Sequence, residues 1–165
     1  MFAYDPSEWT DLFVATAGAS AALAGLVFVA VSINLDRIIG EAGLPDRALE
    51  TLLLLVSVLL ISILSLIPGQ STGALGTELL LVSLTTTITI ARLPTLGLAT
   101  SFVPPRSWLW TRWGLRLVGT VPFVIGAASV LLEAGGGLYW IVAGIVFATV
   151  GAVANAWVLL VEILR

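Results

Sequence analysis

Long apolar stretches alternate with short polar segments along this chain. An α-helix rises about 1.5 Å per residue and the hydrocarbon core of a bilayer is about 30 Å thick, so one crossing needs roughly 20 mostly apolar residues. Five stretches reach that length. They predict transmembrane helices over about residues 9–38, 47–67, 74–93, 114–132 and 138–164. The connections between them are too short to fold separately, so residues 1–165 are predicted to form a single transmembrane helical domain, a compact all-α bundle.

The third stretch is the weakest of the five, because its centre from Ser83 to Thr89 is rich in hydroxyl side chains. A re-entrant loop or half-helix, leaving four crossings, is the alternative. Loop charge favours a full crossing. If the third stretch turned back, the arginines from Arg92 to Arg116 would lie on the same side as the loop over 68–73, which has no basic residue.

All seven basic residues are arginines, and their positions predict the orientation of the bundle. Basic residues in short loops are retained in the cytoplasm. The first and third loops carry or adjoin most of the arginines, whereas the second and fourth loops and the N-terminal segment carry none. We therefore expect the N-terminus outside and the C-terminus, with Arg165, in the cytoplasm.

Composition supports a membrane location. Hydrophobic residues make up 59% of the chain and charged residues only 10%, and the mean hydropathy is +1.11, which is far too apolar for a soluble domain. The N-terminus lacks the basic segment and cleavage site of a signal peptide. The use of arginine without lysine and the richness in Ala, Gly, Val and Leu are typical of GC-rich coding. They favour a multi-pass protein of the bacterial plasma (inner) membrane.

The segment over about 100–113 combines indole and guanidinium groups, which favour the headgroup layer. We predict that it lies along the cytoplasmic interface as an anchor, and a docking surface for a partner or an anionic lipid is the alternative. The anchor residues are Arg106, Trp108, Trp110, Arg112 and Trp113.

Small residues recur at helical spacing in the first and last predicted helices. Small side chains let helix backbones approach closely in a bilayer. The packing positions predicted from this pattern are Ala17, Gly18, Ala21, Ala22, Gly25, Gly144, Ala148 and Gly151. They suggest that the first helix is central and that it packs against the fifth.

Polar residues form stripes toward the cytoplasmic ends of several predicted helices. Intramembrane polar groups often face a bundle interior or a water-filled cavity, so a hydrophilic vestibule is one interpretation. The other is that the charges reach the headgroups and the hydroxyls bond to their own helix. The pore or polar-cluster candidates are Ser32, Asn34, Asp36, Arg37, Glu50, Thr85, Thr89, Arg92, Asn155 and Glu162.

The chain has no histidine and no cysteine, so it lacks the usual zinc, copper and haem ligands and the usual base for a serine nucleophile. We expect no enzyme activity and no cofactor or metal, and a net charge of −3 argues against nucleic-acid binding. Beyond the lipid bilayer, two hypotheses remain. One is a small homo-oligomeric channel or pore for ions or small solutes. The other is a non-catalytic accessory or assembly subunit that packs against a larger membrane protein complex.

Overall fold

A computed structural model describes residues 3–41, 43–96 and 106–163, with side chains described for 3–41, 43–93, 114 and 116–161. The fold is all-helical, 87% helix, with no strand in the described ranges. A 3-10 helix, Pro6–Trp9, precedes the first of six α-helices. These are α1 Thr10–Ile33, α2 Leu35–Gly40, α3 Leu44–Ser65, α4 Thr72–Leu96, α5 Arg106–Leu131 and α6 Leu138–Ile163.

Local chemistry explains where several of these helices begin and end. The chain turns at Asn34, whose backbone N–H donates to the Val31 carbonyl, so the predicted helix over 9–38 is two helices, α1 and α2. Gly43, with φ +89°, precedes α3, because glycine tolerates that left-handed conformation. The Ser71 hydroxyl accepts a hydrogen bond from the Ala74 N–H at the start of α4, as an N-terminal cap does.

Two predicted elements differ in extent from those observed. The hydroxyl-rich third stretch is part of one continuous helix, α4, in which the Ser83, Thr87 and Thr89 hydroxyls bond to carbonyls one turn earlier. The fourth predicted helix, expected from 114, begins at Arg106 in α5. Residues 106–113 therefore continue the helix, whereas 100–105 of the predicted interfacial segment lie outside the described residues.

Helices α3 to α6 form a ring. Helix α5 packs extensively on both α4 and α6, and α3 packs on α4 and α6, so that α6 closes the ring. Thus α3 faces α5 across the ring, and α4 faces α6. The interior is filled by apolar side chains such as Leu55, Leu79, Phe123 and Ile141, each at most 2% exposed.

Helix α1 lies outside this ring and packs mainly on α3, with little contact to α6. The expectation that the first helix is central and packs on the last therefore differs from the structure, in which α3 has the most neighbours. The physical reason is the difference in side-chain volume between α3 and α1. The leucine and isoleucine side chains of α3 fill an interior, whereas the small side chains of α1 leave little apolar volume to bury.

The helices alternate in direction, so the molecule has two distinct ends. We call the arginine end the one where α1 and α4 finish and α3 and α5 begin, since Arg37, Arg47, Arg92 and Arg106 all lie there. The opposite, acidic end carries Asp5, Glu8, Asp11, Glu78 and Glu133 and no basic residue. Among the residues that the structure describes, four helical segments are long and apolar enough to cross a membrane: Pro6–Ile33, Leu44–Ser65, Thr72–Leu93 and Leu138–Val161.

Candidate functional site

The most distinctive polar feature of the described structure is a buried ion pair between Glu50 of α3 and Arg116 of α5. The Arg116 Nε and Nη2 groups donate to the same carboxylate oxygen, Glu50 Oε2, at 2.9 and 2.7 Å. The side chains are only 3% and 8% exposed, for Arg116 and Glu50 respectively. The pair therefore joins two helices that face each other across the ring.

This pair lies at the arginine end of the apolar interior. One turn deeper, Leu54 fills the space against α5 and α6, since a Cβ atom added at Gly119 or Gly151 would lie 3.5 or 3.6 Å from its methyl carbons. The Thr120 hydroxyl donates to the Arg116 carbonyl at 3.1 Å. Pairing lowers the cost of burying each charge, but the desolvation penalty leaves such pairs close to neutral in net stability.

The predicted polar cluster groups Glu50 with the other polar residues of the cytoplasmic stripes. In the structure Glu50 pairs with Arg116, which is not among those residues. Sequence reasoning treated Arg116 as a residue at a helix end and did not include it among the site residues. The feature that could have identified Arg116 is its position inside an apolar stretch. An ionisable residue there needs a partner of opposite charge at a similar depth, and Glu50 is such a residue.

Three of the other predicted polar residues bond to carbonyls of their own segment of the chain. Ser32 and Asn34 bond to the Phe28 and Ala30 carbonyls of their own helix at 2.8 and 2.9 Å. Thr89 likewise donates to the Thr85 carbonyl at 2.8 Å. Asp36, Arg37, Thr85 and Arg92 are exposed, Asn155 is half-buried on α6, and the side chain of Glu162 lies outside the described residues.

The small residues of the first and last helices have different surroundings. In α6, Gly144 and Ala148 are buried, and a Cβ atom at Gly144 would lie 2.5 Å from the Phe123 ring of α5. In α1, by contrast, Gly18 and Gly25 are exposed, and an added Cβ atom would meet nothing within 4 Å. Ala21 and Ala22 are exposed as well, while Ala17 is half-buried.

A line of exposed α1 residues runs along the helix at alternating spacings of three and four, which places its members on one face. We call it the α1 seam: Ala15, Gly18, Ala22, Gly25, Val29 and Ser32. Larger exposed side chains flank it, including Val14, Leu26 and Phe28. The opposite face contacts α3, where the Thr16 and Ser62 hydroxyls are 2.8 Å apart.

At the acidic end, the N-terminal segment lies on the loop between α5 and α6. The Leu138 N–H donates to the Ala3 carbonyl at 2.8 Å, and the Gly136 N–H donates to the Tyr4 hydroxyl at 3.2 Å. Trp9 and Tyr139 meet edge to face, with ring centroids 4.8 Å apart. These contacts tie the start of α1 to the start of α6.

A cleft of about 440 Å³ opens beside this segment, lined by Tyr4, Asp5, Pro6, Gln70, Thr72 and Glu133. Hydrogen bonds from the Ser7 hydroxyl and then the Ser7 backbone N–H hold the pKa of Asp5 below its usual range. Glu133 accepts a hydrogen bond from Thr72, and Glu78 accepts one from Gln70, both at 2.6 Å. Within the described part of the chain, acidic side chains do not gather in groups of three or more that could hold a metal ion.

The residues of the predicted interfacial anchor belong to α5. Arg106, Trp108, Trp110, Arg112 and Trp113 lie in the first turns of α5, but their side chains are outside the described residues. Their role as an anchor stays a prediction.

Four helices of membrane-spanning length and composition make this chain a multi-pass membrane protein. Comparison with protein-family models, with curated proteins and with solved structures finds no match to any of them.

Proposed function

We propose that this protein is a non-catalytic assembly subunit of a membrane protein complex. It packs through the α1 seam against another transmembrane helix. The observation that carries this proposal is the exposure of that seam along a helix whose other face is already packed on α3. Lipid chains fill such a groove poorly, whereas a second helix can approach closely over small residues.

The spacing of the seam also specifies the kind of contact. Alternating steps of three and four residues follow a 3.5-residue period, which suits a left-handed pair of helices crossing at about 20°. From Ala15 to Ser32 the seam rises by 17 residue steps, or roughly 26 Å at 1.5 Å per residue, so it extends over most of the hydrocarbon thickness.

We further propose that the chain crosses the membrane five times. The apolar segment of α5, Arg116–Leu131, is shorter than the other four, but α5 packs along both α4 and α6. The burial of Arg116 against Glu50 supports a crossing, because the charge at the edge of this segment is covered by protein rather than exposed to lipid.

Charge supports the orientation with the arginine end in the cytoplasm. Among the described residues, that end carries six arginines and five carboxylates, a net +1, whereas the acidic end carries five carboxylates and no arginine, a net −5. Retention of basic residues on the cytoplasmic side accounts for this asymmetry. Together with the composition described above, this charge asymmetry supports a location in the bacterial plasma membrane.

The first experiment is to measure the mass of the protein purified alone in nanodiscs, beside Gly25→Leu. A leucine at Gly25 fills the seam without disturbing the fold, since nothing lies within 4 Å of that position. If the wild type forms an oligomer and Gly25→Leu is a monomer, the seam joins copies of this chain. If the wild type is a monomer, the partner is another protein, and Gly25→Leu should lose it on copurification from the native membrane.

Ala154→Leu is the matched control, because Ala154 is exposed on α6, away from the seam. Equal loss of assembly in both variants, or assembly retained by Gly25→Leu, contradicts the proposal. Gly151→Leu does not suit this test, since Gly151 faces Leu54 of α3 inside the bundle.

A homo-oligomeric channel for ions or small solutes is the second candidate. The observation that favours it is the exposed Thr85 near the middle of α4, where a hydroxyl would otherwise face lipid. Because the ring interior is filled by apolar side chains, a path would run between subunits rather than through one chain.

Ion flux into liposomes, measured on the preparation used for the mass, tests this candidate. A channel should conduct as an oligomer, Thr85→Val should lower the flux, and Asp36→Lys should change the ion preference, since Asp36 is exposed at the arginine end. An oligomer without flux excludes the channel and leaves the assembly role.

A further inference from the structure

The Glu50–Arg116 pair is a polar side-chain link across the ring from α3 to α5, one turn from the place where Leu54 of α3 lies against Gly119 of α5. The two helices are opposite rather than adjacent, so little other contact holds the arginine-end half of α5 toward α3. Glu50 lies six residues into α3 and Arg116 ten residues into α5, which puts the pair roughly 9 to 15 Å below the helix starts at 1.5 Å per residue.

The pair is also incompletely satisfied. Arginine and carboxylate bond most favourably through two parallel hydrogen bonds to two oxygens, but here both donors converge on Glu50 Oε2. Among the described residues, Arg116 Nη1 is buried without a hydrogen-bond partner. Burying a donor without an acceptor is unfavourable. The closed arrangement is therefore less stable than a fully bonded pair would be.

The glycines in the two halves of α5 differ in how much free space surrounds them. In the half toward the acidic end, a Cβ atom added at Gly126 would lie 2.7 Å from Ile141, and Leu131 lies equally close to a Cβ added at Gly76 of α4. In the half toward the arginine end, a Cβ at Gly119 would make only ordinary contacts, and one at Gly114 would meet nothing within 4 Å. At these glycines, the half toward the arginine end leaves more room than the half toward the acidic end.

A proline separates these halves. Pro122 lies inside α5, where it cannot donate to the Val118 carbonyl and its ring crowds the preceding turn. Prolines are the commonest positions at which helices bend sharply. Gly119 and Pro122, three and six residues from Arg116, are therefore the positions at which α5 is expected to bend most easily.

We propose that the Glu50–Arg116 pair is a latch that closes the arginine end of the ring, and that its release lets residues 106–121 swing outward about the hinge at Gly119 and Pro122. Opening exposes the polar pair to the arginine-end surface and separates α5 from α3 there, while the acidic end stays closed. This device does not depend on the proposed assembly role of α1.

Distances between spin labels in nanodiscs test the latch, because the chain has no native cysteine that would need to be removed. One double-cysteine pair, Leu49→Cys with Ser107→Cys, reports on the arginine end. A second pair, Ile63→Cys with Ile125→Cys, reports on the acidic end. Both distances are measured with Glu50 intact and with Glu50→Gln, which removes the charge but keeps the size of the side chain.

With Glu50→Gln, the arginine-end distance should increase by roughly 5 to 8 Å, the displacement of a 16-residue arm that bends by about 20°. The acidic-end distance should stay unchanged. Ser57→Ala is the matched control, because Ser57 is buried on the same helix but bonds only to the Leu54 carbonyl of that helix, and it should change neither distance.

Three results would overturn the latch. If Glu50→Gln leaves both distances unchanged, α5 is held at the arginine end without the pair. If the distributions of both distances broaden together, the pair maintains the whole fold rather than one end. An arginine-end shift of equal size in Ser57→Ala would also overturn it, since any buried polar change would then have the same effect.

Discussion

At the scale of single residues, Glu50 and Arg116 are the pair whose loss should matter most. Glu50→Ala leaves a buried guanidinium without its counter-charge and should lower the free energy of unfolding by about 3–5 kcal/mol. Glu50→Leu with Arg116→Met removes both charges and should retain most of the stability, since apolar side chains of similar volume avoid the desolvation cost.

Unfolding in mixed detergent micelles, followed by the fluorescence of the six tryptophans, measures both variants. An equal loss in the single and the double variant would mean that packing volume, rather than charge, is what the pair contributes.

Asp5 provides a second test at this scale. Its carboxylate accepts hydrogen bonds from the Ser7 hydroxyl and N–H at 2.7 and 3.0 Å, which lower its pKa. Any stability that this ionised group adds is present above its unfolded pKa and is lost as the pH falls through the lower folded value. Ser7→Ala removes the larger cause, so the Asp5 pKa should rise toward its usual range in an NMR titration of labelled aspartate. An unchanged midpoint would show that the Ser7 hydroxyl is not the cause.

At the scale of helices, close approach between α4 and α5 should be sensitive to one methyl group. A Cβ at Gly76 would lie 2.7 Å from the backbone nitrogen of Leu131, which cannot move as a side chain can. Gly76→Ala should therefore cost about 1–3 kcal/mol of stability. Gly73→Ala, three residues earlier on α4, meets open space and should cost nothing. The same unfolding assay compares them, and equal stability of the two variants would contradict the tight contact.

Helix extents were predictable where polar and glycine-rich segments interrupt the apolar stretches. The last helix was expected from residue 138 and begins at Leu138, directly after Gly135, Gly136 and Gly137, which all have positive φ. The start of α5 was not predictable to the same degree. Arginine and tryptophan can lie along an interface or extend a helix out of the membrane, and composition does not distinguish these two geometries.

At the scale of the whole molecule, five crossings predict which loops face outward. Single cysteines at Pro68 and Ala134, exposed in two loops of the acidic end, should react with a membrane-impermeant maleimide on intact spheroplasts. A cysteine at Glu41, exposed at the arginine end, should react only after permeabilisation. If Ala134→Cys is protected while Pro68→Cys reacts, α5 does not cross and the chain has four spans.

The sequence by itself determined that this is a helical membrane protein, since the length of an apolar stretch is a property of the chain alone. Only the tertiary structure decided that α3 is central, that α1 lies outside the ring, and that Glu50 pairs with Arg116. The reason is that in a bilayer both the lipid-facing and the core-facing positions of a helix are apolar, so the alternation that orients a helix in a soluble protein is absent. Which helices touch, and therefore which charges meet, depends on how side-chain volumes fit together in three dimensions.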